Sequence, residues 1–356
     1  FLVAWGYWLS ILATLAALAV AFVGYLDPFF PRLVRDPATS ALLAIATVWI
    51  LIGVNASGVK SAGRMQVATT VIKIVPLLVV GIAGLAAFRA DRFAIPAEHR
   101  GDLGTLGHSV ASVMTLTLWA FLGLESATIP ASRVREPERT IPRATVLGTL
   151  IAAGIYVVST AGVMSAVPAE SLASSTAPFA DAARSLFGEP VALLVAAGAA
   201  ISCFGALNGW TLLVGQFPLA VAEDGLFPRL FRRLSRRLLP VPGMLFSGVL
   251  STALVAANYT RGLVALFTFF ILLATLATLI PYSFCSMAVF VLAGPGERKK
   301  AAPRAGLALV AALAFVYSLV AIGGAGMESV YWGFLLLLSG LPVYVWVQRQ
   351  HAVEAG

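Results

Sequence analysis

Two ionisable side chains stand where charge is expensive. Glu125 and Lys73 each fall well inside an apolar run. A charge at bilayer depth is disfavoured unless it faces a cavity or a partner, so each is a functional candidate. The bland alternatives are a protonated, hydrogen-bonded Glu125 and a Lys73 that snorkels along its stem or pairs internally. Around Glu125 the chain reads Leu118-Trp119-Ala120-Phe121-Leu122-Gly123-Leu124-Glu125-Ser126-Ala127. Gly123 weakens a helix at mid-span. A helix broken there would leave main-chain groups free to coordinate a ligand, as in the midplane sites of transporters. Trp119 lies in the middle of the same run, although tryptophans prefer the interfaces. A mid-span Trp beside a mid-span Glu fits a cation-binding pocket with an aromatic lid. Trp210 repeats the theme, with Asn208 and Thr211 beside it. Tyr7 and Tyr282 add amphipathic aromatics, and Pro281 frees a backbone carbonyl. The chemistry in view is reversible binding of a cation, with no covalent step.

The elements that must hold these residues are membrane helices. Of 356 residues, 60% are hydrophobic and 11% are charged, against about 25% charged in soluble domains. Ten apolar segments are predicted, at about 2–26, 38–58, 66–88, 107–130, 144–167, 190–219, 241–258, 263–293, 305–323 and 328–347. Their long uniform runs are helices rather than alternating barrel strands. Small residues recur within them, as in Ala152-Ala153-Gly154, which suits close helix packing. The reading is all-α, a polytopic helix bundle forming one transmembrane domain over 1–356. Phe1 already lies in an apolar run, so the chain reads as the interior of a longer protein.

Several classes drop out. The net charge of +8 sits in short loops, which indicates topology rather than nucleic acid. Cys203 and Cys285 lie inside apolar runs, and His99, His108 and His351 are scattered. No disulfide framework, metal site or catalytic cluster is visible, so no cofactor is expected. An enzyme would need a nucleophile–base or metal constellation, and a channel would need filter loops or charge rings. Sixteen of the 24 bases fall in one set of alternate loops and seven in the other. That puts both ends of this chain in the cytoplasm. The basic, amphipathic stretch 227–240 is predicted as a short helix at the inner interface, with anionic-lipid binding as the alternative.

These residues resemble the amino acid–polyamine–organocation superfamily, closest to its bacterial arginine/agmatine antiporter branch. The carrying motifs are Tyr7-Trp8-Leu9 with Gly24-Tyr25-Leu26 and Phe29-Phe30-Pro31; Leu118 to Ala127; Gly209-Trp210-Thr211-Leu212-Leu213-Val214-Gly215-Gln216; Asp224-Gly225-Leu226-Phe227-Pro228; and Pro281-Tyr282. The resemblance implies an inverted-repeat (LeuT-like) transporter fold in the bacterial inner membrane, with ten of the usual twelve spans present. It implies that the family's first two spans are missing, including the glycine-rich turn that holds the substrate's carboxylate and amine. It implies a secondary amino-acid/amine antiporter working by alternating access, with homodimers common in the branch.

By that resemblance Trp119 covers the substrate from outside and Trp210 lies beneath it. Tyr7, Glu125 and Tyr282 form the inner gate, with Glu125 also a proton sensor. Ser10, Ile11, Leu15 and Ala274 match the wall that receives the substrate's side chain. Leu15 replaces an asparagine of the branch and Ala274 a serine. An apolar wall leaves guanidinium donors unmet, which points to a substrate less polar than arginine. Lys73 is a second departure. Proton-coupled relatives carry a lysine on that span, so the alternatives are proton-linked symport through Lys73 and a non-transporting amino-acid sensor.

Overall fold

The computed structural model describes residues 1–58, 62–93, 102–124, 134–292 and 305–355, with the backbone alone over 62–73 and 351–355. Helices follow one another in the order α1 (Leu2–Gly24), α2 (Pro31–Val34), α3 (Pro37–Ala56), α4 (Ala62–Ala86), α5 (Leu103–Leu118), α6 (Pro137–Ala166) and α7 (Ala169–Ser174). Then come α8 (Pro178–Phe187), α9 (Glu189–Glu223), α10 (Val241–Asn258), α11 (Leu263–Leu292), α12 (Ala305–Gly324), α13 (Met327–Leu338) and α14 (Gly340–Ala355). No strand occurs among the described residues.

Among those residues, eight helical stretches are long and apolar enough to cross a membrane: α1, α3, α6, α9, α10, α11, α12, and α13 with α14. The other two expected spans fall on α4 and α5. Side chains on α4 are described only from Ile74 onward, and α5 stops after 16 residues at the break anticipated near Gly123.

Local chemistry sets the helix ends. Asp36 caps α3, its carboxylate accepting from the Thr39 amide at 2.8 Å, and Pro37 fills the first turn. Asp102 caps α5 through the Gly104 and Thr105 amides. The Thr39 and Thr105 hydroxyls donate to the same two carboxylates and, with the backbone amides, lower the pKa of both. Past the end of α9, Gly225 takes φ +77, and the Leu226 amide returns to the Val221 carbonyl.

The recurrent small residues are where backbones touch. A Cβ on Gly84 would fall 2.1 Å from the Gly162 carbonyl oxygen, and one on Gly162 would fall 2.2 Å from that of Gly81. So α4 and α6 cross with almost no side chain between them. On the α5–α12 contact, a Cβ on Gly324 would meet the Ala111 oxygen at 2.1 Å. There the Thr115 hydroxyl donates to the Ala321 carbonyl at 2.5 Å.

At the centre runs α1, buried along most of its length and packed by α3, α9, α10 and α11. Pro281 in α11 removes the amide that would bond the Ala277 carbonyl. Gly6 of α1 approaches that carbonyl, where an added Cβ would stand 3.3 Å away.

Loop contacts sort the two ends of the bundle. Arg237 donates to the Ser57 carbonyl, and Phe1 packs on Phe227 with ring centroids 5.9 Å apart. The stretch 227–240 therefore shares one end with Phe1 and the end of α3. At the other end the Thr176 hydroxyl donates to Asp27 at 3.2 Å, Arg35 pairs with Asp27 at 3.4 Å, and Arg261 pairs with Glu328 at 2.6 Å.

The stretch 227–240 is not the interfacial helix that its amphipathic pattern predicts. It is a 3-10 turn, Arg229–Arg232, followed by a tight turn. Ser235 explains the difference: its hydroxyl accepts from the Arg237 and Leu239 amides, and its carbonyl accepts from the Leu238 amide. Local bonds of this kind compete with helix, and Leu238 completes the turn at φ +59.

Candidate substrate site

The site forms where α5 fails to continue. Trp119–Phe121 tightens into a 3-10 turn, Leu122 is extended at ψ 142, and Gly123 sits at φ +101. L side chains rarely adopt that backbone, so glycine is required there. The hydroxyl of Tyr156 on α6 donates to the Ala120 carbonyl at 3.1 Å, inside the turn. Its ring meets Phe121 edge-on at 5.3 Å. One freed carbonyl of the broken end is thus satisfied from a neighbouring helix.

Beside the break lies a cavity of about 430 Å³, within the usual range for small-ligand pockets. One wall is the broken segment Ala120–Leu124. The second is Ala152 and Tyr156 of α6, and the third is Ala206, Gly209, Trp210 and Leu213 of α9. No described lining residue is charged. Small residues at Ala152, Ala206 and Gly209 open the space, while Trp210 supplies a broad aromatic surface against Gly123.

The helix that bears Trp210 is held from behind. The Asn55 side-chain amide of α3 donates to the Asn208 side-chain oxygen at 2.8 Å and to the Leu51 carbonyl at 2.8 Å. Both asparagines are buried. A polar pair inside an apolar bundle fixes the register of the two helices, because slipping would strand both amides.

The structure brings most of the expected site residues around one core cluster. Ile11, Leu15 and Ala274 belong to it, and Tyr7, Trp119 and Trp210 pack against it. They divide by location, however. Trp210 and Gly123 line the cavity. Trp119 turns toward α11, edge-on to Phe267 at 5.4 Å, and its indole nitrogen is buried with no hydrogen-bond partner among the described residues. Ser10, Ile11, Leu15 and Ala274 are buried between helices and do not line the cavity. The Ser10 hydroxyl is spent on the Tyr7 carbonyl at 2.7 Å. The Tyr7 ring packs on Phe217 at 4.9 Å, and Tyr282 is half-buried one residue after Pro281. Glu125 and the Lys73 side chain lie outside the described residues, although Lys73 falls on helix α4.

Sequence reasoning missed Tyr156. It is an aromatic within a long apolar run, and its only available signal was a hydroxyl far from any loop.

Residues 1–346 match the family described as amino acid permease. The chain belongs to the amino acid permease family. Similar curated proteins include the putrescine transporter PotE of Haemophilus influenzae, 31% identical over 347 residues, covering 98% of this chain and 79% of that protein. The cadaverine/lysine antiporter of Escherichia coli strain K12 is 31% identical, covering 92% of this chain and 73% of its own. A putative arginine/ornithine antiporter of Bacillus subtilis is 30% identical, covering 99% and 80%. Permease membership makes the chain a multi-pass membrane transporter and not an enzyme. The long apolar helices are the physical counterpart of that membership.

Proposed function

We propose that the chain is a secondary amino-acid/amine antiporter that holds its substrate in the cavity between the α5 break and Trp210. The observation that carries this is the contact of Gly123 with Trp210 at the edge of a cavity of about 430 Å³. The broken main chain offers polar groups, and the indole offers a π face. A substrate ammonium over that face gains about 2 kcal/mol when desolvated. Relatives named for putrescine, cadaverine/lysine and arginine/ornithine support an amine-bearing substrate.

The substrate is less polar than arginine. The described lining carries no charged residue, so nothing described there complements a guanidinium. In the sequence Glu125 follows the last described lining residue, Leu124, and our reading gives it the role of the acid that complements the ammonium. Alternating access proceeds by motion of the broken helix and its partners against α3, α9 and α10. The end that carries Arg229–Arg237 faces the cytoplasm, as the distribution of bases requires.

A second reading couples uptake to protons through Lys73. It is favoured by the position of α4, which packs on α6 and α9, the two helices that wall the cavity. Exchange and proton symport separate in liposomes. An exchanger takes up labelled amino acid only when preloaded with amino acid or amine. A symporter takes it up into empty vesicles under an inward proton gradient, and Lys73→Met abolishes that uptake.

A further inference from the structure

The segment between α9 and α10 carries five arginines within nine residues, Arg229 to Arg237, and Arg232 and Arg237 are among those with structural work. Arg232 donates from Nε to the Ala222 carbonyl at 2.5 Å, capping α9, and Arg237 caps α3 at Ser57. Arg233 and Arg236 are exposed and have no hydrogen bond or ion pair among the described residues. The nearby acids Glu223 and Asp224 are exposed at the end of α9 and pair with neither.

Arg233 also stands on the rim of a groove of about 520 Å³. Apart from Ser235 the remaining lining is apolar, with Leu230 and Leu234 from the turn and Val241, Leu245, Phe246 and Val249 among the residues from α10. Leu245, Phe246 and Val249 are 44%, 44% and 54% exposed on the outer face of a spanning helix. The rim is held in place. Phe231 packs edge-on against Phe246 at 5.7 Å and Trp8 at 5.7 Å, and the Trp8 indole donates to Ser247 at 3.1 Å.

We propose that this groove binds one anionic phospholipid of the surrounding bilayer, with an acyl chain along Leu245, Phe246 and Val249 and the phosphate against Arg233. Arg236 adds positive potential at the same headgroup. The occupant follows from two features together. The groove opens along a spanning helix, so it faces hydrocarbon rather than water. Among the described residues its single charged rim residue is an unpaired guanidinium, which matches a phosphate in geometry and sign. A zwitterionic headgroup carries its own cation and gains less from the site.

The test is retention of lipid by the full chain in native mass spectrometry, with phosphatidylglycerol and phosphatidylcholine of identical acyl chains supplied in equal amounts. Wild type is expected to retain one phosphatidylglycerol in preference. The preference should fall by about fivefold for each of Arg233→Gln and Arg236→Gln. Val249→Trp, which fills the groove and keeps both arginines, should lose the retained lipid as well. Arg143→Gln, an exposed arginine elsewhere, should change nothing. Equal retention of both lipids by wild type would overturn the proposal. So would an equal loss in Arg143→Gln, which would make the effect one of net charge, or displacement of the lipid by excess inorganic phosphate alone.

Discussion

Gly123 lies on the ring of Trp210: a Cβ built on that glycine would stand 3.3 Å from Cζ2 of the indole. The residue that breaks α5 and the residue that floors the cavity are therefore one contact, although they belong to helices far apart in sequence. Gly123→Ala adds a methyl at φ +101 and presses it on the indole. The strain costs about 1–2 kcal/mol. The variant should unfold at lower temperature in detergent and transport at a small fraction of the wild-type rate. Normal transport in that variant would show that the break does not depend on glycine.

Trp210→Ala removes the π face. Substrate affinity should drop by about 30-fold, the equivalent of about 2 kcal/mol. Trp210→Phe should recover part of it. Equilibrium binding of labelled substrate to purified protein reads both, and unchanged affinity in the alanine variant would remove Trp210 from the site.

Tyr156→Phe keeps the ring against Phe121 and deletes the bond to the Ala120 carbonyl. A neutral hydrogen bond contributes about 1 kcal/mol net. Affinity should therefore weaken by about fivefold or less, with little change in the amount of folded protein. A large loss of folded protein instead would make Tyr156 a packing residue.

Asn55 and Asn208 should couple. In a double-mutant cycle with Asn55→Leu and Asn208→Leu, the interaction energy should be about 0.6 kcal/mol and at most about 1.7, the average and upper end for polar contacts between membrane helices. Thermal unfolding of the four proteins measures it. Additive effects would mean that the two amides are satisfied separately.

The spans were legible because lipid allows few solutions: an apolar run of about 20 residues is a helix. The break was legible because Gly123 interrupts such a run beside Trp119 and Glu125. What each helix faces was not. α1 and α12 are both strongly apolar, yet α1 is buried over most of its length while Leu309, Val310 and Leu313 of α12 point outward. Lipid and protein interior reward the same side chains, so hydropathy carries no sign of which face is core. The same blindness hid Tyr156, and it leaves Trp119 turned to Phe267 rather than into the cavity. The turn at 235–239 was illegible for another reason. A single serine hydroxyl redirects the backbone there, against an amphipathic pattern that reads as helix.

The most direct test of the account is counterflow by the full chain in liposomes. Vesicles preloaded with unlabelled amino acid or diamine, with no proton gradient, are given a labelled panel outside. The expected result is uptake that needs the preload and is lost in Trp210→Ala at equal reconstitution. Uptake that ignores the preload and survives Trp210→Ala would contradict both the exchange mechanism and the site.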